Sequence, residues 1–374
     1  PGGQGILANL VLDRLRQIIH LAAPMDSADH GRPPLRLCVA GNSAMTYILL
    51  GLPTQGLASA PYRLDYAGGD ERQLAPDLPP ALNPPLLAPF VGADLSAGLA
   101  ALHFGPVAPQ YPFLLADLGT NGEFVLALGP EEYLLASVPM GPALEGVGLR
   151  HGRAAAPGAV RAYSLSPAGL APLHVDRPPQ ADANGQGDNA DITDAGITGV
   201  GYLSLAAVLL RAGVLDESGR FVVPATPLGR RIAQGLTRLG GESALPLPGG
   251  MLLPASDVEE LVKVKAAFNL ALSRLLAEAN LTPDALRAVY LAGAMGEHVD
   301  AADLATLGFL PEALAAKVRK ADNTSLLGAQ LLLRSAPAWD WVRGLPAYCR
   351  ALDLASEPRF GSLYVERMVL RHVS

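Results

Sequence analysis

The stretch Asp117-Leu118-Gly119-Thr120-Asn121-Gly122-Glu123 constrains this chain more than any other part of it. Two short apolar runs flank it, Pro112–Ala116 before and Phe124–Leu128 after, and each has the length and composition of a buried strand. The runs therefore read as a hairpin, with the polar glycine stretch as its turn. Glycines let a backbone come close to a phosphate and aim its N–H groups at the anion. Thr120 and Asn121 add side-chain donors. Asp117, at the strand end, can hold a magnesium ion through water, because magnesium prefers oxygen ligands and keeps much of its hydration. An Asn-Gly pair is also an ordinary hairpin turn, so the stretch by itself leaves both readings open.

A third run, Tyr133–Val138, returns after a turn at Gly129–Glu132 and completes a meander, and a helix is expected over Gly141–Leu149. Upstream, Ile6–His20 carries apolar residues at helical spacing. After Pro33-Pro34, Leu35–Ala40 reads as a short buried strand and Ser43–Leu50 as a helix entered from a polar cap. Residues 53–89 are rich in proline and read as loop, Phe90-Val91-Gly92 as a strand end, and Asp94–Phe104 as a helix. Downstream, residues 158–192 suggest a small sheet with a polar, glycine-rich, mobile tip at Asp182–Asp191. Ile197–Ala212 and Asp257–Asn280 are long helices, Val289–Leu291 is a strand entering Gly293, and Asn323–Leu333 is a further helix. This order predicts an α/β fold with mixed sheets, unlike the βαβα alternation of a dinucleotide-binding fold.

Composition closes off several classes. A length of 374 residues exceeds the usual single domain and predicts two lobes. The net charge of −7 argues against a nucleic-acid surface, which would need clustered Lys and Arg. No apolar run approaches the roughly 18 to 20 residues that cross a bilayer, and no signal peptide is visible, so no membrane is expected. Cys38 and Cys349 are too few for an iron–sulfur cluster, which takes about four ligands. They read as small core residues of a cytoplasmic protein. The histidines lack ligand spacing, so no zinc is expected. The chain opens at Pro1 just before a helix, and is expected to be preceded by an N-terminal part that it does not include.

Asp94 stands 23 residues before Asp117 and opens a helix. A second glycine turn, Leu291-Ala292-Gly293-Ala294-Met295-Gly296, follows a strand late in the chain. An acidic residue with its helix, a phosphate hairpin and a late glycine turn, in that order, resemble the two-lobed ATPases of the actin, sugar-kinase and heat-shock-chaperone superfamily. The fold implied is ribonuclease-H-like, with the first lobe incomplete here. The resemblance implies that Gly119, Thr120, Asn121, Gly122 and Glu123 hold the later phosphates of ATP, and that Asp117 serves Mg2+. It further implies that Gly293, Ala294 and Gly296 lie against the adenosine. Asp94 would position the attacking water; it equally suits a helix N-cap. Lys265 matches a basic residue that relatives place near the nucleotide, or a solvated helix charge. Glu145 reads as a ligand of ribose or magnesium, or as a turn cap. His151, with Arg150 and Arg153, reads as an anion site or a solvated basic turn.

A narrower resemblance rests on Ala40-Gly41-Asn42-Ser43-Ala44-Met45, Phe90-Val91-Gly92-Ala93-Asp94, and the 117–123 stretch itself. It continues through Gly141-Pro142-Ala143-Leu144-Glu145-Gly146, Ala155-Ala156-Pro157-Gly158-Ala159, Leu210-Arg211-Ala212-Gly213-Val214-Leu215-Asp216 and the turn at 291–296. These motifs are similar to the ATP-dependent reductive activators of corrinoid proteins. The resemblance implies a cytoplasmic repair enzyme that returns a Co(II) corrinoid protein of a methyltransferase system to Co(I), with ATP closing the lobes. It allows a homodimer, and places a [2Fe-2S] domain only in the missing N-terminal region. The first phosphate loop, an Asp-x-Gly-Thr-Thr hairpin, is expected there too. Where relatives have Gly-Ile-Cys-Gly-Ser-Gly, this chain has Gly196-Ile197-Thr198-Gly199-Val200-Gly201, and Gly199 and Gly201 join the expected nucleotide contacts. The implied organisation is a first lobe over 1–108, a second over 109–335 and a tail over 336–374. A small-molecule kinase on the same scaffold, with Asp94 as base, and a nucleotide-regulated assembly protein are the alternatives.

Overall fold

The computed structural model describes residues 3–22, 36–175, 196–296, 298–354 and 357–373. The expected strand start at Leu35 and the tip at 182–191 lie outside the described residues. The chain forms two compact units, both discontinuous. The first comprises Pro1–Tyr111, Ala127–Ala136 and Asn323–Leu352; the second comprises Pro112–Leu126, Ser137–Asp322 and Asp353–Ser374. Position 335 is therefore no boundary between the units, and residues 336–374 divide between them rather than forming one tail.

In the first unit, strands β1 (Leu37–Cys38), β2 (Asp70–Arg72) and β3 (Ala81–Asn83) form a sheet of order β1-β3-β2. Two of these strands fall in the proline-rich stretch expected to be loop; at three residues each they are too short to show a period. Asn42 caps the helix Ser43–Leu49 by accepting from the Ala44 N–H at 3.0 Å. Gly92 is there for packing: a Cβ would sit 2.6 Å from the Asn42 Cα and the Gly41 carbonyl oxygen. The expected strand end at 90–92 is a single bridge, Ala88 to Val91. The helix Thr324–Arg334 joins this unit because Gly328 lets it rest on the Ala97 carbonyl of the helix Ala93–His103.

The second unit is built on a meander of β4 (Phe113–Leu118), β5 (Asn121–Gly129) and β6 (Glu132–Pro139), whose tip at 127–136 is counted with the first unit. Phe113, Leu114, Leu115 and Ala116 are all buried, which is why β4 shows an unbroken apolar run rather than alternation. A hairpin follows, β7 (Val160–Ser166) and β8 (Gly169–His174), and then a separate small sheet of β9 (Thr237–Leu239), β10 (Glu242–Pro246) and β11 (Leu252–Pro254). Strand β12 (Ala288–Ala292) then pairs parallel with β4, and β13 (Val318–Lys320) parallel with β12. Within this unit the order is β13-β12-β4-β5-β6. A meander with two parallel strands added beside its first strand is the ribonuclease-H-like arrangement, and the α/β fold class holds. The helix Ala255–Glu278 packs on it through edge-to-face rings, Phe124 to Phe268 at 5.1 Å and Phe268 to Phe309 at 5.5 Å. Back in the first unit, β14 (Cys349–Ala351) runs parallel to Tyr133–Leu135 of β6.

The helix expected over 141–149 does not form. Only the short 3-10 turn Pro142–Glu145 is present, bounded by Gly141, Gly146 and Gly148 at φ of 78°, 76° and 84°. Left-handed residues at both ends stop a helix from propagating. Cys38 and Cys349 are half-buried free thiols, each pushed up to about 12 by burial.

Candidate functional site

The register of β12 on β4 sets Ala292 opposite Asp117, so Asp117 and Gly293 emerge side by side at the carboxyl ends of two parallel strands. That edge is where open α/β sheets bind ligands. Gly293 has φ +80°, and a Cβ there would collide with Asp117 Oδ1 and lie 3.2 Å from the Leu118 carbonyl oxygen. Only glycine fits. Asp117 itself is half-buried, and desolvation holds its carboxyl above the ordinary carboxylate range. It makes no hydrogen bond or ion pair among the described residues.

The turn after β4 is held from one side and open on the other. The Gly119 N–H donates to the Asn121 carbonyl at 3.1 Å. The Thr120 carbonyl accepts from the Met140 and Gly141 N–H groups at 3.1 and 3.0 Å. Its N–H and its hydroxyl both donate to Glu145 Oε1, at 2.8 and 2.7 Å. Gly119 has no steric reason to be glycine: a Cβ would meet only Glu145 Oε1 at 3.6 Å and the Asn121 carbonyl at 3.8 Å, both ordinary contacts. No contact within the protein requires a glycine at this position. Thr120 and Asn121 are exposed beside it. Gly122 differs, since a Cβ there would collide with Met140 Sδ and approach the Phe124 ring to 2.8 Å; it serves packing. Glu123 is only 5% exposed within β5, which takes its side chain off the open face of the turn.

The glycine run at 196–201 packs against the protein itself. A Cβ on Gly199 would collide with the Leu144 carbonyl, one on Gly201 with the Val160 carbonyl, and one on Gly196 would lie 2.7 Å from the His151 carbonyl oxygen. The Thr198 hydroxyl caps the helix Gly199–Arg211, accepting from the Gly201 N–H at 3.0 Å. Gly201, expected as a nucleotide contact, is buried against backbone instead. Gly199 keeps an outlook: with Glu145, Arg153, Thr198, Val200 and His298 it lines a mainly apolar cavity of about 260 Å³. Glu145 thus joins the turn at 119–121 to that cavity.

Lys265 needs correcting on both expected counts. It is fully buried, and its ammonium donates to the Arg367 carbonyl at 3.2 Å and to the Arg371 carbonyl. Burial, with Arg367 and Arg371 nearby, pushes it down to about 7. It ties down the C-terminal segment, and is neither solvated nor turned toward a nucleotide. The basic turn at 150–153 is likewise pinned: Asp257, 4% exposed, accepts from the Arg150 N–H at 3.0 Å and from the Tyr202 hydroxyl at 3.2 Å. Burial and Arg150 hold the His151 ring below its usual range, which favours a neutral ring over an anion ligand. Asp94 lies in the first unit. The cap of its helix is Gly92, and Asp94 Oδ1 accepts from the Leu95 N–H at 2.9 Å.

Among the described residues no cluster of three or more His, Cys, Asp or Glu could hold a metal ion. A single carboxyl beside an exposed turn suits magnesium, which binds through one or two carboxylates together with waters and substrate phosphates. The exposed Thr120 and Asn121, and Asp117 with no partner among the described residues, fit that group. Among the described residues no helix is long and apolar enough to cross a membrane.

Residues 112–374 match the family described as the C-terminal domain of RACo, the ASKHA domain. The chain is 27% identical over 372 residues to the corrinoid activation enzyme RamQ of Eubacterium limosum, covering 95% of this chain and 59% of that one. It is 30% identical over 294 residues to the Co(II) methylated amine-specific corrinoid protein reductase of Methanosarcina barkeri, covering 75% and 50%. The solved structure of a reductive activator for corrinoid, iron-sulfur protein matches with a TM-score of 0.80, over all of this chain and 58% of that one. At 24% identity that likeness is one of fold. The chain spans between half and three-fifths of the length of these proteins.

Proposed function

This chain belongs to the family of RACo C-terminal ASKHA domains, and from that premise we propose that it is the ATP-binding and ATP-hydrolysing part of a reductive activator of corrinoid proteins. Gly119, Thr120 and Asn121 receive the phosphates, Asp117 holds Mg2+ through water, and Gly293, Ala294 and Gly296 border the adenosine. Asp94 is the carboxylate proposed to orient the attacking water. Bound Mg-ATP supplies a phosphoanhydride whose binding or hydrolysis offsets an uphill electron transfer. The transfer reduces a Co(II) corrinoid protein of a methyltransferase system to Co(I) by one electron. The donor is a low-potential centre, a [2Fe-2S] cluster in this reading, carried outside this chain. For ATP to drive the step it must bind one conformational state better than another. A cytoplasmic location and a homodimer are compatible with the same reading.

The observation that carries the proposal is the meeting of Asp117 and Gly293 at adjacent strand ends, next to Gly119, a glycine that the surrounding protein does not require. To test it, full-length protein is mixed with a Co(II) corrinoid protein, a low-potential reductant and Mg-ATP, and Co(I) is followed by its absorption bands. Co(I) is expected only with ATP, and Asp117→Ala is expected to abolish the ATP dependence. Equal Co(I) with and without ATP would refute the coupling.

A further inference from the structure

Glu145 makes a contact that a nucleotide would compete for. One oxygen of its carboxylate accepts from both the N–H and the hydroxyl of Thr120, at 2.8 and 2.7 Å. An anionic oxygen on a turn N–H beside a hydroxyl is the contact a phosphate makes with such a turn. The backbone on both sides of this contact is fixed. The Thr120 carbonyl is tied to the Met140 and Gly141 N–H groups, so the turn cannot swing away. Ala143 and Leu144 are buried just before Glu145, and Gly146 just after it packs so closely that a Cβ would lie 2.6 Å from the Arg153 backbone. What is left to move is the exposed side chain of Glu145. It borders a cavity that Arg153 and Arg161 also line, and Arg161 there donates to the His174 carbonyl.

We infer that Glu145 is an internal stand-in for a nucleotide phosphate: its carboxylate occupies the Thr120 donors until an incoming phosphate displaces it toward the two arginines. The inference rests on the nucleotide reading of the turn and adds a regulatory element to it.

The test is calorimetric titration of Mg-ATP and Mg-ADP into the wild-type protein and into Glu145→Ala and Glu145→Gln, with thermal melting of each. Removing an internal competitor predicts tighter binding, about ten-fold for Glu145→Ala, given what a hydrogen bond to a charged group contributes. Glu145→Gln keeps an acceptor without the charge and should fall between the two. If Glu145 instead braced the turn or held the metal, both variants would bind more weakly than wild type. Weaker or unchanged affinity, against a measurable wild-type value, therefore overturns the stand-in. Failure of every form, wild type included, to bind nucleotide sinks the nucleotide reading itself, and the inference with it.

Discussion

The two glycine runs of the second unit, 119–122 and 196–201, look alike in sequence and are built to opposite ends. In the later run each glycine is filled by the protein: the His151 carbonyl meets Gly196, the Leu144 carbonyl meets Gly199 and the Val160 carbonyl meets Gly201. In the earlier run Gly122 is filled by Met140, while Gly119 has nothing nearer than 3.6 Å. A glycine marks a place where something comes close. Only the surroundings tell whether that something is the protein or a ligand.

Substitution by alanine separates the two cases, and the later run should show the larger effect. Gly199→Ala drives a methyl group into the Leu144 backbone carbonyl, at the seat of a buried helix. A loss near the upper end of overpacking costs, about 3 kcal/mol, is expected in the urea midpoint. A Gly199→Ala protein as stable as wild type, but deaf to nucleotide, would reverse the contrast. Gly119→Ala is the complementary case. Its stability should stay within about 0.5 kcal/mol of wild type, as for an unencumbered surface change. Its affinity for Mg-ATP should fall by roughly ten-fold, about 1.4 kcal/mol, because the new methyl stands where the phosphate would approach. Lost stability with unchanged affinity would put Gly119 in the same class as Gly199.

The sequence made the earlier run legible because its setting is local. Strand β4 is buried on both faces and so appears as a continuous apolar run, and the turn follows directly. Gly293 was visible in the same way, as a glycine at the end of a strand. The 3-10 turn at 142–145 was not, because Gly-Pro-Ala-Leu-Glu-Gly reads as a helix start unless the left-handed φ at both glycines is known. Nothing in the chain reveals that Thr120 and Glu145 meet across 25 residues, or that Asp257 holds the Arg150 turn across 107. One further signal is present in the sequence. Lys265 and Asn269 stand on the apolar stripe of their helix with Leu261, Phe268 and Leu272, where a solvated charge does not belong.

Charge offers the finest test of the same distinction between groups turned outward and groups used up inside. Asp117 has no partner among the described residues, whereas Lys265 is held by the carbonyls of Arg367 and Arg371 with His372 close by. Burial depresses Lys265 to about 7, below the 10.5 of a free lysine. Between those values the unfolded chain keeps the proton and the folded chain does not, so stability rises with pH across the window. The cost of burying the charge is complete below pH 7 and gone above pH 10.5. From pH 7 to pH 8 the gain attributable to this residue is about 1 kcal/mol. Lys265→Met should remove that slope from the urea midpoints, with His372 and the two arginines left in place. It should leave Mg-ATP affinity unchanged. A slope that survives the substitution would mean that the ammonium reaches solvent, and a loss of affinity would return Lys265 to the nucleotide site.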